Sequence, residues 1–343
     1  MNIQDLIDDA LEIAVVPSFS SIGYAVRRRL YDWTPPLADS LRDRTVLVTG
    51  PTSGLGRAAT DRLAGLGARI VLVGRSEARL VSVRDELIRS HGEDRFRTVV
   101  ADMSSLASVQ AAVARILDSE ARLDVVIDNA GAIFPERRES ADGFEATLAT
   151  MVVGPFAMVA GLLPLLRRTG EARVVAVTSG GMYAQALRLD DLQWERAPFD
   201  GARVYAHAKR AQVALMREWA RRVTPGEVAF SAMHPGWADT PGISAALPRF
   251  YGLMGPILRT PDEGADTAVW LAADPGASGA AVGGRLFLDR RERPFDRLPT
   301  TRVSAADRRD LWDHVVELAG VTDPSPTSDA PTATHRQPYG APA

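Results

Sequence analysis

Six short β-branched runs, apolar nearly throughout, punctuate the middle of the chain: Thr45–Thr49, Arg69–Val73, Thr98–Ala101, Asp124–Asp128, Arg173–Thr178 and Val228–Ala232. Between them lie stretches such as Ala58–Leu66, Ala78–Ile88 and Val109–Leu117, with apolar residues at helical spacing. A strand that is apolar on both faces must be covered on both faces, and parallel strands joined by crossover helices achieve this. The pattern predicts the α/β class: a doubly wound parallel sheet, read as one domain over residues 44–290 with no internal repeat.

Composition narrows the chemistry. Apolar residues make up 46% of the 343, enough for a packed core. The absence of cysteine excludes disulfides, thiolate nucleophiles and Cys-ligated metals, and no metal site is expected. A net charge of -3 and 6% aromatics give no electrostatic or stacking basis for a nucleic-acid partner. Met1–Ala14 carries Asp5, Asp8, Asp9 and Glu12, the wrong sign for a secretory leader. The longest apolar run, Met151–Leu166, is interrupted by Pro155 and Pro164. It falls short of the roughly 20 residues a membrane span needs, so it is read as a buried helix. No transmembrane span and a cytoplasmic location are expected.

Residues 1–43 form an extension with an amphipathic helix followed by Arg27-Arg28-Arg29. The favoured reading packs it on its own fold; peripheral contact with a membrane surface or a partner is the other. Residues 291–321 read as a C-terminal helical segment, with Ser304 capping a helix to Leu318 and Asp307 three residues on. Residues 322–343, rich in Pro, Thr, Ser and Ala, are expected to be a disordered tail.

The first strand runs into Thr49-Gly50-Pro51-Thr52-Ser53-Gly54-Leu55-Gly56-Arg57, and a helix follows. Gly50 permits a tight turn, Gly54 a close approach of backbone to a pyrophosphate, and Gly56 close packing of helix on strand. The phosphates would sit at the helix N-terminus, where free N–H groups and the helix dipole favour anions. This is the dinucleotide site of a Rossmann-type sheet. The second strand ends Val73-Gly74-Arg75, with no acid to bond a ribose 2′-hydroxyl. Arg75 suits a 2′-phosphate, so NADP is expected over NAD, with Ser76 and Arg57 as further candidate contacts.

Tyr205 and Lys209 stand four apart at the start of a helical stretch and so share a face. A free phenol has a pKa near 10, and a neighbouring ammonium is expected to lower it into a usable range. Ser179 follows the strand Arg173–Thr178, at the carboxyl end where open α/β sheets bind ligands, and could hold a carbonyl oxygen.

Together, Thr49-Gly50-x-x-x-Gly54-x-Gly56, Asp128-Asn129-Ala130-Gly131, Ser179 and Tyr205-x-x-x-Lys209 resemble the short-chain dehydrogenase/reductase family over about residues 44–290. Further segments, among them Asp191–Trp194, His234–Gly242 and Gly283–Arg290, are similar to one subgroup of it whose substrate is poorly defined. The resemblance implies that Ser179, Tyr205 and Lys209 are catalytic and that Lys209 also bonds the nicotinamide ribose. It implies that Thr49, Gly50, Ser53, Gly54, Leu55 and Gly56 hold the phosphates and that Asp102 and Met103 contact the adenine. Asn129, Ala130 and Gly131 would line the nucleotide, and Pro235, Gly236 and Thr240 the carboxamide. Asp102 and Gly131 also read plainly as turn residues, and Thr240 as a helix cap.

Two positions depart from the family pattern. Asp128 replaces the usual first Asn of its motif, and Met151 replaces an Asn that normally holds a water near the lysine. A thioether is a weak acceptor and donates nothing. Thr150, beside it, is expected to point elsewhere. The resemblance also implies a homo-oligomer, through a four-helix contact built from Met151–Leu166 and the helix of Tyr205.

The expected function is NADP(H)-dependent interconversion of an apolar alcohol and its ketone or aldehyde. The segment Trp237–Leu258, with Leu247, Phe250, Tyr251, Leu253, Met254 and Ile257, would form a lid over an apolar small-molecule substrate. The rival is an NADP-binding sensor or scaffold that has lost turnover through Met151. His207 and His234 are read as structural.

Overall fold

The computed structural model describes residues 3–92, 95–223, 226–277 and 279–324. The expected tail at 322–343 lies mostly outside them. Three helices, α1 (Ile3–Ile13), α2 (Val15–Phe19) and α3 (Ser21–Leu30), precede β1 (Thr45–Thr49). Then come α4 (Gly54–Gly65), β2 (Arg69–Gly74), α5 (Glu77–His91), β3 (Phe96–Val100), α6 (Leu106–Ser119) and β4 (Val125–Asp128). Next, α7 (Ala146–Leu148) runs through a π-helical turn (Ala149–Val153) into α8 (Gly154–Thr169), followed by β5 (Ala172–Val177), α9 (Gly201–Arg222) and β6 (Val228–Met233). After β6 lie α10 (Pro241–Ala246), α11 (Pro248–Met254), α12 (Pro261–Ala273), β7 (Leu286–Leu288), β8 (Arg291–Arg293) and α13 (Ala305–Ala319).

One sheet in the order β3-β2-β1-β4-β5-β6-β7-β8 holds every strand, parallel except for antiparallel β8. The order reverses between β1 and β4, which opens a crevice at their carboxyl ends. All six expected strands are present within two residues of their predicted bounds. Alternation along β1 shows the double winding directly. Val46 and Val48 face a core built with α4, α5 and α12, whereas Leu47 faces one built with α6, α8, α9 and α13. Each such side chain, removed fully from water, contributes roughly 1.5–3 kcal/mol.

The sheet continues past residue 290 through β8, which pairs with β7, so the segment 291–321 opens with a strand before its helix. These strands are three residues each, and the turn between them uses Asp289 and Arg290, both at positive φ (54° and 56°). Such turns ordinarily announce themselves with Asn or Gly. Here Asp289 holds the conformation instead, accepting from Arg259 at 2.6 and 2.8 Å and from Arg27 at 2.8 Å.

The N-terminal extension is docked on its own fold. Arg27 is wholly buried and donates to Asp8 (2.6 Å), Glu12 (2.7 Å) and Asp289 (2.8 Å). Its two neighbours in the basic cluster, Arg28 and Arg29, are exposed. One helical stretch, Ala146–Thr169, is long and apolar enough to cross a membrane by composition, and most of it is buried inside the fold, as the broken apolar run suggested.

The chain's own α13 packs on α8 and α9, the two helices of the expected four-helix contact. Trp312 packs edge-on against Phe156 (4.9 Å) and Trp219 (4.7 Å), and Trp219 stacks on Phe230. Arg308 donates to Glu218 of α9 at 3.2 Å. The Ser304/Asp307 capping box starts α13 as the sequence indicates.

Trp312→Ala is expected to cost about 3–5 kcal/mol of stability by loss of packing. Chemical denaturation checks it, with the exposed Arg309→Ala within about 0.5 kcal/mol of wild type.

Candidate active site

The crevice at the carboxyl ends of the strands is a cavity of about 690 Å³. Its floor is the glycine turn. Gly50 (φ +67°) takes the chain off β1, its N–H bonded to the Val73 carbonyl at 2.9 Å. A Cβ at Gly56 would lie 2.1 Å from the Gly50 carbonyl oxygen, so only hydrogen fits where α4 crosses the end of β1. Ser53 caps α4 without a side-chain bond, which leaves the first N–H groups of α4 turned to the cavity. Gly50, Ser53, Gly54, Leu55 and Gly56 all line it. A bare backbone floor and a helix N-terminus fit a dinucleotide's pyrophosphate.

Thr49 is corrected: it does not line the cavity. It is buried beneath, and its hydroxyl accepts from the backbone N–H of Asn129 and of Ala130, both at 2.9 Å. Asn129 returns the tie, its amide donating to the Thr49 carbonyl at 3.0 Å. The pair fixes the β4 loop to the β1 turn, so that Asn129, Ala130 and Gly131 form a wall.

Asp102 and Met103 line the far end, as expected. Asp102 is also a turn residue, its carboxylate accepting from the Ser104 N–H (2.9 Å) and hydroxyl (2.7 Å). Arg75 lines the same end and is exposed, as is Arg79, which sequence reading missed. The signal for Arg79 was its position in the first turn of α5, facing back over the glycine loop, where it contacts the Thr52 carbonyl at 3.5 Å. Arg57 does not line the cavity and pairs with Glu86 at 3.1 Å. Pro235, Gly236 and Thr240 line the opposite end, Thr240 also capping α10.

Ser179, Tyr205 and Lys209 meet in this cavity. Ser179 opens a short 3₁₀ turn after β5 and accepts from the Gly181 N–H at 3.3 Å. Asp200 caps α9, placing Tyr205 in its second turn and Lys209 in its third. The Lys209 ammonium lies 5.6 Å from the Tyr205 ring centre and donates to the Val177 carbonyl at 2.9 Å.

The expectation that Lys209 lowers the phenol's pKa is corrected. Burial pushes Tyr205 up to about 12, and the hydrogen bond with Ser179 pulls it back only in part. The Lys209 amine is directed at a strand carbonyl instead, and loss of water dominates the phenol. Burial likewise pulls Lys209 down to about 8, against the opposing pull of the Asp128 carboxylate. Asp128 is itself pushed up to about 6 by burial, with Lys209, Gln212 and Thr49 restraining it. Gln212 donates to one Asp128 oxygen at 3.0 Å, and the other is buried without a partner among the described residues. Replacing Asn by Asp here thus places a titratable group behind the lysine.

Thr150 is corrected: from within the π-helical turn at 149–153 it lines the cavity, while Met151 stands where expected, buried against Gly131 beside the Lys209 ammonium. Met151 is fully buried, its sulfur 3.0 Å from where a Gly131 Cβ would stand. His207 is structural in its setting: Nε2 accepts from the Arg188 N–H at 3.0 Å, the ring meets Trp194 edge-on, and burial holds it down to about 4. His234 lies fully buried between Phe19 and Tyr183, held down to about 3 by burial. Of the expected lid, Trp237 and Phe250 line the cavity together with Ile243, Met254 is buried, and Leu253 points to solvent. Among the described residues no cluster of His, Asp and Glu is arranged to hold a metal.

Comparison with known proteins agrees with this geometry. The short chain dehydrogenase family model matches residues 44–247. The human dehydrogenase/reductase SDR family member 12 is 40% identical over 80% of this chain and 86% of its own length. Mouse polyprenol dehydrogenase is 32% identical over 88% of this chain and 91% of its own. A solved Escherichia coli CFT073 protein complexed with NADPH superposes at a TM-score of 0.61, with 24% identity over 75% of this chain and all of that one.

The raised Asp128 pKa has a consequence for stability. A carboxyl that binds its proton more tightly when folded contributes fully below its unfolded value near 3.8, and that contribution is lost as pH rises through about 6. Asp128→Asn is therefore expected to gain about 2–3 kcal/mol on wild type between pH 4 and pH 7. Urea denaturation across that window checks it; parallel curves for the two proteins refute it.

Proposed function

The chain belongs to the short-chain dehydrogenase/reductase family, and from that premise we propose that it interconverts an apolar alcohol and its ketone or aldehyde with NADP(H). The observation that carries this reading is the convergence of Ser179, Tyr205 and Lys209 with the glycine turn in one cavity. When bound, the nicotinamide gives or accepts the hydride. The protein's part is to place and protonate the oxygen. Ser179 donates a hydrogen bond to the substrate oxygen. Tyr205, protonated at neutral pH, is set as the acid in the reducing direction. Lys209 supplies positive charge beside it.

Arg75 and Arg79, with no acid at the end of β2, support NADP over NAD. The apolar wall of Trp237, Ile243 and Phe250 supports an apolar substrate. That a relative is a polyprenol dehydrogenase supports the same substrate class.

Met151 favours a second reading. Its buried thioether fills the space beside Gly131 and offers no donor for a proton route. In that reading the protein binds NADP as a sensor and turns over weakly.

NADPH oxidation at 340 nm with a panel of apolar ketones and aldehydes separates the two. On the first reading Tyr205→Phe lowers kcat by about 10²–10⁴-fold, and Arg75→Ala weakens NADPH more than NADH by about tenfold. Tight NADPH binding without turnover, with activity appearing in Met151→Asn, selects the second. A protein that binds neither dinucleotide refutes both.

A further inference from the structure

Phe19, the last residue of α2, lies outside the residues matched by the family model and is 3% exposed. Its ring rests on the backbone of Gly180, the residue after Ser179. A Cβ at Gly180 would stand 2.4 Å from the Phe19 Cε2 atom. The same ring meets Trp237 edge-on (5.8 Å, 83°) and the His234 ring at 4.8 Å. The Phe19 carbonyl accepts the Trp237 N–H at 2.7 Å. A Cβ at Gly236 would fall 2.5 Å from that carbonyl oxygen, and Gly236 is held at φ +70°.

Two loops therefore close on one side chain. The first follows β5 and carries Ser179; the second follows β6 and carries Pro235, Gly236 and Trp237. The ladder no longer sets their spacing, because β5 ends at Val177 and β6 at Met233. Arg259 fixes the corner from behind, donating to the carbonyls of Ser18 (2.9 Å), Ser20 (3.1 Å) and Pro235 (3.2 Å). Trp237 transmits the spacing to the cavity through its edge contact with Phe250 at 5.2 Å, both rings lining the apolar wall.

We propose that Phe19 is a positioning residue of the active site, fixing the distance between the Ser179 hydroxyl and the Trp237 wall, so that the N-terminal extension belongs to the reaction machinery and helps select the substrate. The inference rests on the oxidoreductase reading above and adds a residue beyond its catalytic set. A displacement of about 1 Å in such a frame is enough to cost about a hundredfold in rate.

The full chain is assayed as wild type, Phe19→Leu, Phe19→Ala, Gly180→Ala and the double variant Phe19→Ala/Gly180→Ala. With NADPH and a bulky apolar ketone, Phe19→Leu is expected to lower kcat at least tenfold and to raise KM more for that ketone than for a small one. The NADPH dissociation constant stays within twofold. Gly180→Ala alone lowers kcat at least tenfold. Added to Phe19→Ala, where the ring is gone, it costs less than threefold. A second readout needs no turnover: amide hydrogen exchange at residues 179–182 and 235–239 rises in Phe19→Leu, while β1 and β4 keep their protection. Kinetics equal to wild type in a folded Phe19→Leu, or independent effects in the double variant, overturn the proposal. So does unchanged exchange in both loops. Wild-type inactivity on the whole panel counts against the oxidoreductase reading and leaves the exchange result to decide this one.

Discussion

The cavity exists because α4 is allowed to touch the end of β1. At Gly56 a carbonyl oxygen occupies the place of a side chain, and at Gly50 the chain turns through a left-handed conformation. A Cβ at Gly56 would push α4 off the sheet by about an ångström, and one at Gly50 would strain the turn at its positive φ and crowd Asn129 and Ala130. The N–H groups of the first turn of α4 would then leave the crevice. Everything downstream depends on that contact: the Thr49–Asn129 tie, the wall of the β4 loop, and the position of Lys209 against the Val177 carbonyl. The strand reversal between β1 and β4 makes a gap, and the glycines make the gap a place where an anion meets backbone.

Behind that floor the charges are arranged by burial. Lys209 and Asp128 are each moved toward neutrality by loss of water, and each restrains the other's shift. The pair is coupled, so a change at either group is felt by both. The phenol of Tyr205 shows the same rule. Spacing on a helix guarantees that two side chains share a face, but not that a cation outweighs the water removed. Its proton stays on unless a ligand alters the surroundings.

Much of the fold was legible because its signals are local. The six core strands and the capping box at Ser304 declare themselves in a few consecutive residues. So does the glycine turn, and with it most of the residues that line the cavity. What was not legible depends on contacts distant in sequence. The β7–β8 turn uses Asp-Arg at positive φ, held by arginines some 30 and 262 residues away. Thr150 lines the cavity because a π-helical turn adds a residue to the cycle, which periodicity at 3.6 cannot foresee. The covering of α8 and α9 by α13 was hidden for the same reason: an amphipathic helix shows that it packs, not upon what.

The buried arginines explain why the N-terminal helices and the β7–β8 hairpin behave as part of the domain. Arg27 from α3 and Arg259 before α12 share the Asp289 carboxylate of the β7–β8 turn. Burial alone would raise the pKa of Asp289, yet the two guanidinium groups hold it below the usual carboxylate range. Asp8 of α1 meets Arg27 and Arg293 of β8 in the same way. Breaking such a network leaves an uncompensated buried charge, a penalty of about 3–5 kcal/mol, although a well-packed apolar replacement of the whole set could be as stable. The network's distinctive contribution is therefore direction rather than strength. Its planar donors tie the α2–α3 corner and the hairpin turn to the Pro235 carbonyl at once. Residues from the first twenty and the last sixty thus converge on the loop that walls the cavity, which ties the shape of that wall to segments that contribute no strand to its floor.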